Sequence, residues 1–200
     1  MNETGFVPNV YDFDKTVVYP DGGAAFLLFC MRRHPALLRY LPGVIVELIR
    51  FAIKHNRDAP FKAEYYRYLR GVKDLPAEVR LFWETKGKTL VKPWCLAQLR
   101  PGDVIITCSA SFFLQPWCDP LGLRLVSTHV DTKTGKLESY SCYGKEKVRR
   151  LREALGDDIE IGEFYSDSLS DAPLAAMAQK AFLVKGDDCR PWPAAGEDNA

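Results

Sequence analysis

The chain has 200 residues, enough for one ordinary domain or for a core with a modest insertion. Apolar residues make up 47% and charged residues 26%, a balance that excludes a disordered or fibrous chain. The formal net charge of +1 supplies no general attraction for nucleic acid, so no nucleic-acid partner is expected.

In chain order, residues 5–11 hold Phe6, Val7, Val10 and Tyr11 before a polar cluster, the pattern of a short buried strand feeding a loop. A helical block follows. Ala24–Arg33 is its first segment, stopped by His34-Pro35. Residues 44–54 form a second, in which Val44, Ile45, Leu48, Ile49 and Ala52 share one face and Glu47, Arg50 and Lys54 the other. That pattern predicts that the apolar face packs inward. A third helix is expected over 61–69, stopped by Gly71, and a fourth opens at Leu75-Pro76.

After Lys88 the pattern changes. A short helix is expected over 94–100, then a Pro101-Gly102-Asp103 turn and a β-branched strand at 104–107. A helix over 111–121 precedes a strand at 124–130, and 131–135 carries hairpin turn residues. Lys145–Leu155 reads as a helix ended by Gly156. A strand at 159–165, a helix at 171–179 and a last strand at 181–184 complete the series, with 191–200 as a frayed tail. Strands alternating with helices predict an α/β fold, a parallel sheet with helices on both faces. Residues 1–21 and 86–200 then form the core, and 22–85 an insertion after the first strand.

Three strand ends carry chemistry. Asp12 and Asp14, at i and i+2 on an extended segment, repel each other unless a divalent cation intervenes. Their spacing lets one carboxylate reach a phosphorus atom and the other a leaving oxygen. Asp167 and Asp171 follow the strand at 159–165; Asp171 or Ser170 also suits a helix N-cap. Ser109 stands between a strand and a helix, where a hydroxyl and backbone N–H groups suit an anion, and where a plain N-cap serine is equally at home. Lys147 lies in the first turn of the next helix, with Lys145 as the alternative cation.

Taken in order, Asp12-Phe13-Asp14-Lys15-Thr16, Thr107-Cys108-Ser109-Ala110-Ser111, the run GKEKVRRL from 144, and the run YSDSLSD from 165 resemble the four motifs of the haloacid dehalogenase superfamily. The branch that includes phosphoserine phosphatase is the most similar. The resemblance implies a Rossmann-like three-layer core with a helical cap at 22–85. It implies Asp12 as covalent nucleophile, Asp14 as general acid and base, and Lys147 as the lysine steadying both nucleophile and phosphoryl group. Ser109 and Thr16 would bind the substrate phosphate. Asp12, the Asp14 backbone carbonyl and Asp167 would hold Mg2+, supported by Asp171. Lys15 stands where this motif often has glycine.

The implied activity is a magnesium-dependent phosphomonoesterase acting on a small phosphorylated metabolite. The cap carries Arg32, Arg33, Arg39 and Arg50 with Tyr65, Tyr66 and Tyr68, which suits an anionic substrate. The second reading is a lipid-phosphate phosphatase at a membrane surface, because the runs around 142–148 and 165–174 are also similar to phosphatidylglycerophosphatase members of the branch. The charged cap ranks it below the first. The stretch from Leu37 to Ile53 is broken by charges and by Pro42-Gly43, short of the about 20 apolar residues a span needs. The six cysteines form no C-x-x-C pair, and MNETGFVPNV has no secretory pattern, so a reduced cytoplasmic compartment is expected. Nothing in the sequence specifies an oligomeric state.

Overall fold

The computed structural model describes residues 6–53, 65–138 and 141–194, with side chains 50–53 left aside. Its centre is β1 (Val10–Tyr11), only two residues long and fully buried. The six-stranded sheet has the order β3-β2-β1-β6-β7-β8, with β2 at Val104–Ala110, β3 at Arg124–Thr128, β6 at Ile161–Ser166, β7 at Ala178–Lys185 and β8 at Asp188–Pro191. All pairings are parallel except β7 with β8. The α/β class and parallel core are as predicted. The antiparallel β8 is not: residues 188–191 add a strand that the sequence pattern did not predict and that runs into the first residue of the expected tail. Trp192 then donates its backbone N–H to Ala181 and packs its ring on Phe164. Residues 195–200 lie outside the described part.

The central strands of the sheet are buried on both faces, as a parallel sheet requires. Along β2, Val104 and Ile106 face one cluster with Phe164, Leu151 and Leu174, while Ile105 faces the other with Tyr11 and Leu114. The first cluster is covered by α6 (Lys145–Leu155) and α7 (Ala172–Ala175). On the second lie α4 (Pro93–Gln98), α5 (Ser111–Cys118) and the insertion. That is the three-layer arrangement expected. Helix α6 has the predicted bounds. Helix α7 is one turn, not the expected 171–179, because β7 begins at Ala178.

The insertion comprises α1 (Gly22–Arg33), α2 (Leu41–Ile53) and α3 (Leu75–Leu90), with 3-10 turns at Pro35–Tyr40 and Tyr65–Gly71. Asp21 caps α1 on the Ala24 N–H at 2.8 Å, and Asp74 caps α3 on the Ala77 N–H at 3.1 Å. The third expected helix is a 3-10 turn, and its residues 61–64 lie outside the described part. Helix α3 runs past the expected boundary at 85 to Leu90. Arg33 and His34 converge on Glu78 of α3 at 2.7 and 2.9 Å, so Arg33 is committed to tying two helices together.

Among the described side chains, helix α2 keeps only Val44 of its expected inward face buried. Val44 and Glu47 are the buried residues, while Ile45, Val46, Leu48 and Ile49 face out. The apolar arc was expected inward, but among the described elements α2 leans mainly on the two 3-10 turns, and that contact takes up the side of Val44 and Glu47.

The hairpin of β4 (Val130–Asp131) and β5 (Lys136–Leu137) closes through the predicted turn. Gly135 there has φ +71°, and a Cβ on it would lie 2.3 Å from the Tyr66 carbonyl oxygen. The hairpin thus seats its backbone directly on the insertion, helped by Arg70 donating to the Thr134 carbonyl at 2.9 Å.

Candidate active site

Parallel register puts the chemistry-bearing loops on one edge. Tyr11 pairs with Ile105 on one side and Tyr165 on the other, so the residues after β1, at the end of β2 and after β6 emerge together. The chain order reverses between β1 and β6, which opens a crevice there at the carboxyl ends of the strands. Asp12 stands on one lip and Asp167 on the other.

Asp12 is 8% exposed. Its N–H donates to the Tyr165 carbonyl at 2.8 Å, continuing the ladder, and its side chain receives Lys147 Nζ at 2.6 Å. The same ammonium reaches Asp171 Oδ2 at 2.7 Å. Lys147 is buried and Lys145 exposed, so of the two candidates Lys147 is the one in the cluster. Ser166 Oγ also donates to Asp171 Oδ2, at 2.8 Å, while Asp171 Oδ1 is buried without a hydrogen-bond partner among the described residues.

Burial raises the Asp12 carboxyl to about 7, against the pull of the Lys147 ammonium, with Asp171 and Asp14 adding to the rise. Burial acts to lower Lys147, but Asp12 and Asp171 outweigh it and hold the ammonium well above its ordinary range.

Asp14 accepts two hydrogen bonds: from the Gly22 N–H at 2.7 Å and from Ser109 Oγ at 2.7 Å. Ser109 is the penultimate residue of β2, not the head of the helix as expected, and α5 starts two residues later. Thr16 is fully buried. Its hydroxyl donates to Asp12 Oδ2 at 3.3 Å and accepts from the Asp167 N–H at 2.9 Å, so it bridges the two lips of the crevice.

The predicted residues therefore converge in two linked groups: Asp12, Lys147 and Asp171, and Asp14 with Ser109. Thr16 joins the first to Asp167. Sequence reasoning missed the supports. Gly22 supplies the N–H to Asp14, and a Cβ there would meet Phe13 at 3.0 Å and Asp14 Oδ1 at 3.3 Å. The Gly22-Gly23 pair was the available signal. Lys15 sits at φ +61°, and its carbonyl accepts from Lys92 Nζ at 2.6 Å. Lys92 is buried, and its ammonium also reaches the Gly186 carbonyl, tying this loop to the β7–β8 turn. No pattern around Lys92 announces that role. Lys185 Nζ donates to the Asp167 carbonyl at 2.7 Å.

Four carboxylates share these loops with two buried ammoniums, Lys147 on carboxylates and Lys92 on backbone carbonyls, and all the side-chain acceptors are oxygen. That donor set fits a hard divalent cation, as do the raised Asp12 and Asp167 carboxyls and the orphaned Asp171 oxygen. No three His, Cys, Asp or Glu side chains form a metal cluster among the described residues. The predicted set of two carboxylates and one backbone carbonyl does not need three. No disulfide joins the six cysteines, and burial pushes Cys30, Cys95, Cys118 and Cys142 up to about 12, which keeps those four out of the chemistry.

A family model for haloacid dehalogenase-like hydrolases matches residues 10–176, a range that begins at β1 and ends just after α7. Protein CicA of Caulobacter vibrioides is 29% identical over 193 positions, covering 87% of this chain and 84% of that protein. A crystal structure of a Bordetella pertussis protein of unknown function superposes with a TM-score of 0.65 at 21% identity, covering 87% of each chain. A phosphoserine phosphohydrolase-like protein of Francisella tularensis gives a TM-score of 0.53 at 15% identity, covering 88% of this chain and 86% of that one.

Proposed function

This chain belongs to the haloacid dehalogenase-like hydrolases, and we propose that within that family it is a phosphatase that cleaves phosphomonoesters through a covalent phosphoryl group on Asp12. The observation that carries the reading is the pairing of two carboxylates in different surroundings. Asp12 is buried against Lys147, and Asp14, two residues on, is held by Ser109 and the Gly22 N–H.

Asp12 attacks phosphorus in line. Its Oδ–P bond forms as the bond to the substrate oxygen breaks, and Asp14 in its acid form protonates that leaving oxygen. Asp14 then takes a proton from a water that attacks the phosphoryl group, releasing inorganic phosphate and restoring Asp12. Lys147 keeps Asp12 aimed and offsets charge on the equatorial oxygens. Ser109 donates to a phosphoryl oxygen in place of Asp14, and that exchange frees Asp14 to carry its proton. Thr16 contributes by holding Asp12 and Asp167 in register. Asp12, the Asp14 carbonyl and Asp167 would hold Mg2+, with Asp171 in support; when bound it supplies Lewis-acid charge to the transferred group. The substrate is a small phosphorylated metabolite.

The test is acid quenching during turnover of p-nitrophenyl phosphate, followed by peptide mass spectrometry. One added phosphoryl mass on the peptide containing Asp12, absent in Asp12→Asn, is expected. Turnover is expected to stop in EDTA, return with magnesium and fall with calcium, which prefers more ligands at longer distances. Near-parental turnover in Asp12→Asn, or full activity in EDTA, would contradict the reading.

A further inference from the structure

The insertion carries an apolar surface that the hydrolytic site does not use. Leu38, Ile45, Val46, Leu48 and Ile49 are each 45–52% exposed. Ile45, Leu48 and Ile49 stand at i, i+3 and i+4 on one side of α2, with Val46 beside them. Leu38 lies on the 3-10 turn that runs directly into the helix. The exposed positions thus lie on the sides of α2 that Val44 and Glu47 leave uncovered, and on the turn that leads into it.

Charge distinguishes the partner. Between Gly22 and Ile53 there are four arginines, Arg32, Arg33, Arg39 and Arg50, and a single acid, Glu47. Glu47 is turned inward, so α2 presents no acid among its described outward side chains. Arg33 is engaged by Glu78, but Arg32 and Arg39 are exposed and form no ion pair among the described residues. Arg39 lies over the Tyr40 ring, its guanidinium 5.0 Å from the centroid. A second copy of the same face would bring arginine against arginine with nothing to pair them. Anionic lipid headgroups pair with both arginines while the acyl boundary takes the Ile and Leu side chains. At 13 residues α2 is about 20 Å long, too short for the roughly 30 Å hydrocarbon core. No described helix is long and apolar enough to cross a membrane.

We propose that the outer face of α2, with Leu38, Arg32 and Arg39, docks the protein onto an anionic lipid surface, the helix lying in the plane of the interface. The 3-10 turn Tyr65–Gly71, on which α2 packs, also reaches the site: a Cβ on Gly23 would lie 3.7 Å from Tyr65 Oη and 3.8 Å from Ser109 Oγ. The turn beneath the docking face thus brings Tyr65 Oη close to the Ser109 hydroxyl.

The test is flotation of the full chain with vesicles of phosphatidylcholine alone or mixed with phosphatidylglycerol. Binding to the mixed vesicles is expected, weakened by salt and much lower on phosphatidylcholine alone. The triple change Ile45→Ser, Leu48→Ser, Ile49→Ser should lower partitioning by about tenfold or more. Arg32→Gln with Arg39→Gln should erase the preference for the anionic vesicles, and this pair keeps the test intact if the triple variant fails to fold. Turnover of p-nitrophenyl phosphate without vesicles is measured beside the triple variant, and is expected to match the parent. A parent protein without such turnover would count against the phosphatase reading alone. Absence of binding to the mixed vesicles, or binding indifferent to both sets of changes, would overturn the proposal. So would a concentration-dependent dimer that the triple change dissociates while vesicles recruit nothing.

Discussion

Asp12 and Lys147 set the behaviour of the site in opposite directions. In the metal-free protein the native Asp12 carboxyl is raised from 3.8 to about 7, so the folded state holds a proton that the unfolded chain has already released. Stability from this group is therefore present at low pH and lost as pH rises through that window. Asp12→Asn removes the titration. In EDTA its melting temperature should gain on the parent between pH 5 and pH 8; parallel pH profiles would contradict the assigned cause. Removing Lys147 acts the other way. Lys147→Met leaves Asp12 and Asp171 buried without their cation, and breaking such a pair costs about 3–5 kcal/mol. The loss should be greatest at pH 8 and shrink towards pH 5 as the carboxyls take up protons, read by thermal melting at the two pH values.

At the scale of elements, the loop after β1 is held by contacts from distant parts of the chain. Lys92 grips the Lys15 carbonyl and the β7–β8 turn, so it fixes the backbone between Asp14 and Thr16 without facing the crevice. Lys92→Met leaves two carbonyls without their donor, each worth about 1–3 kcal/mol where buried. We expect a melting temperature several degrees lower and a fall in kcat of about tenfold, as misplacement of a catalytic group brings. KM should change little, because Ser109 and Lys147 stay in place. A variant with lower stability and parental kcat would show that Lys92 serves the fold alone. Helix α2 illustrates the opposite situation. Its periodicity is correct for an amphipathic helix, yet the neighbours it meets take the side bearing Glu47.

For the whole molecule, the aromatic residues decide how the insertion and the core cohere. Phe26 and Phe82 of the insertion pack on Phe113 of α5 at centroid distances of 5.0 and 5.3 Å, and Trp83 stacks on both Phe113 and Trp117. One buried cluster therefore spans the insertion and one face of the sheet. Phe113→Ala should cost about 3–5 kcal/mol. It should lower a single cooperative transition rather than split it in two, as followed by calorimetry. Separate melting of the insertion in the parent would contradict this.

The sequence by itself determined the α/β class, the bounds of α6, and the four short runs whose residues meet at the crevice. These are local facts: strand and helix periodicity, and the polar residues at strand ends, are written in consecutive positions. The choice of Lys147 over Lys145 was not local, since it depends on which side of α6 faces Asp12. The tertiary structure put Lys147, the residue the motif resemblance implied, into the cluster, and it alone decided the placing of Ser109 at the end of β2, the supports from Gly22 and Lys92, the added strand β8 and the outward face of α2. Each depends on what a residue meets across the fold, between chain segments tens of residues apart. Periodicity states which side of an element is apolar, but only packing states which side is covered.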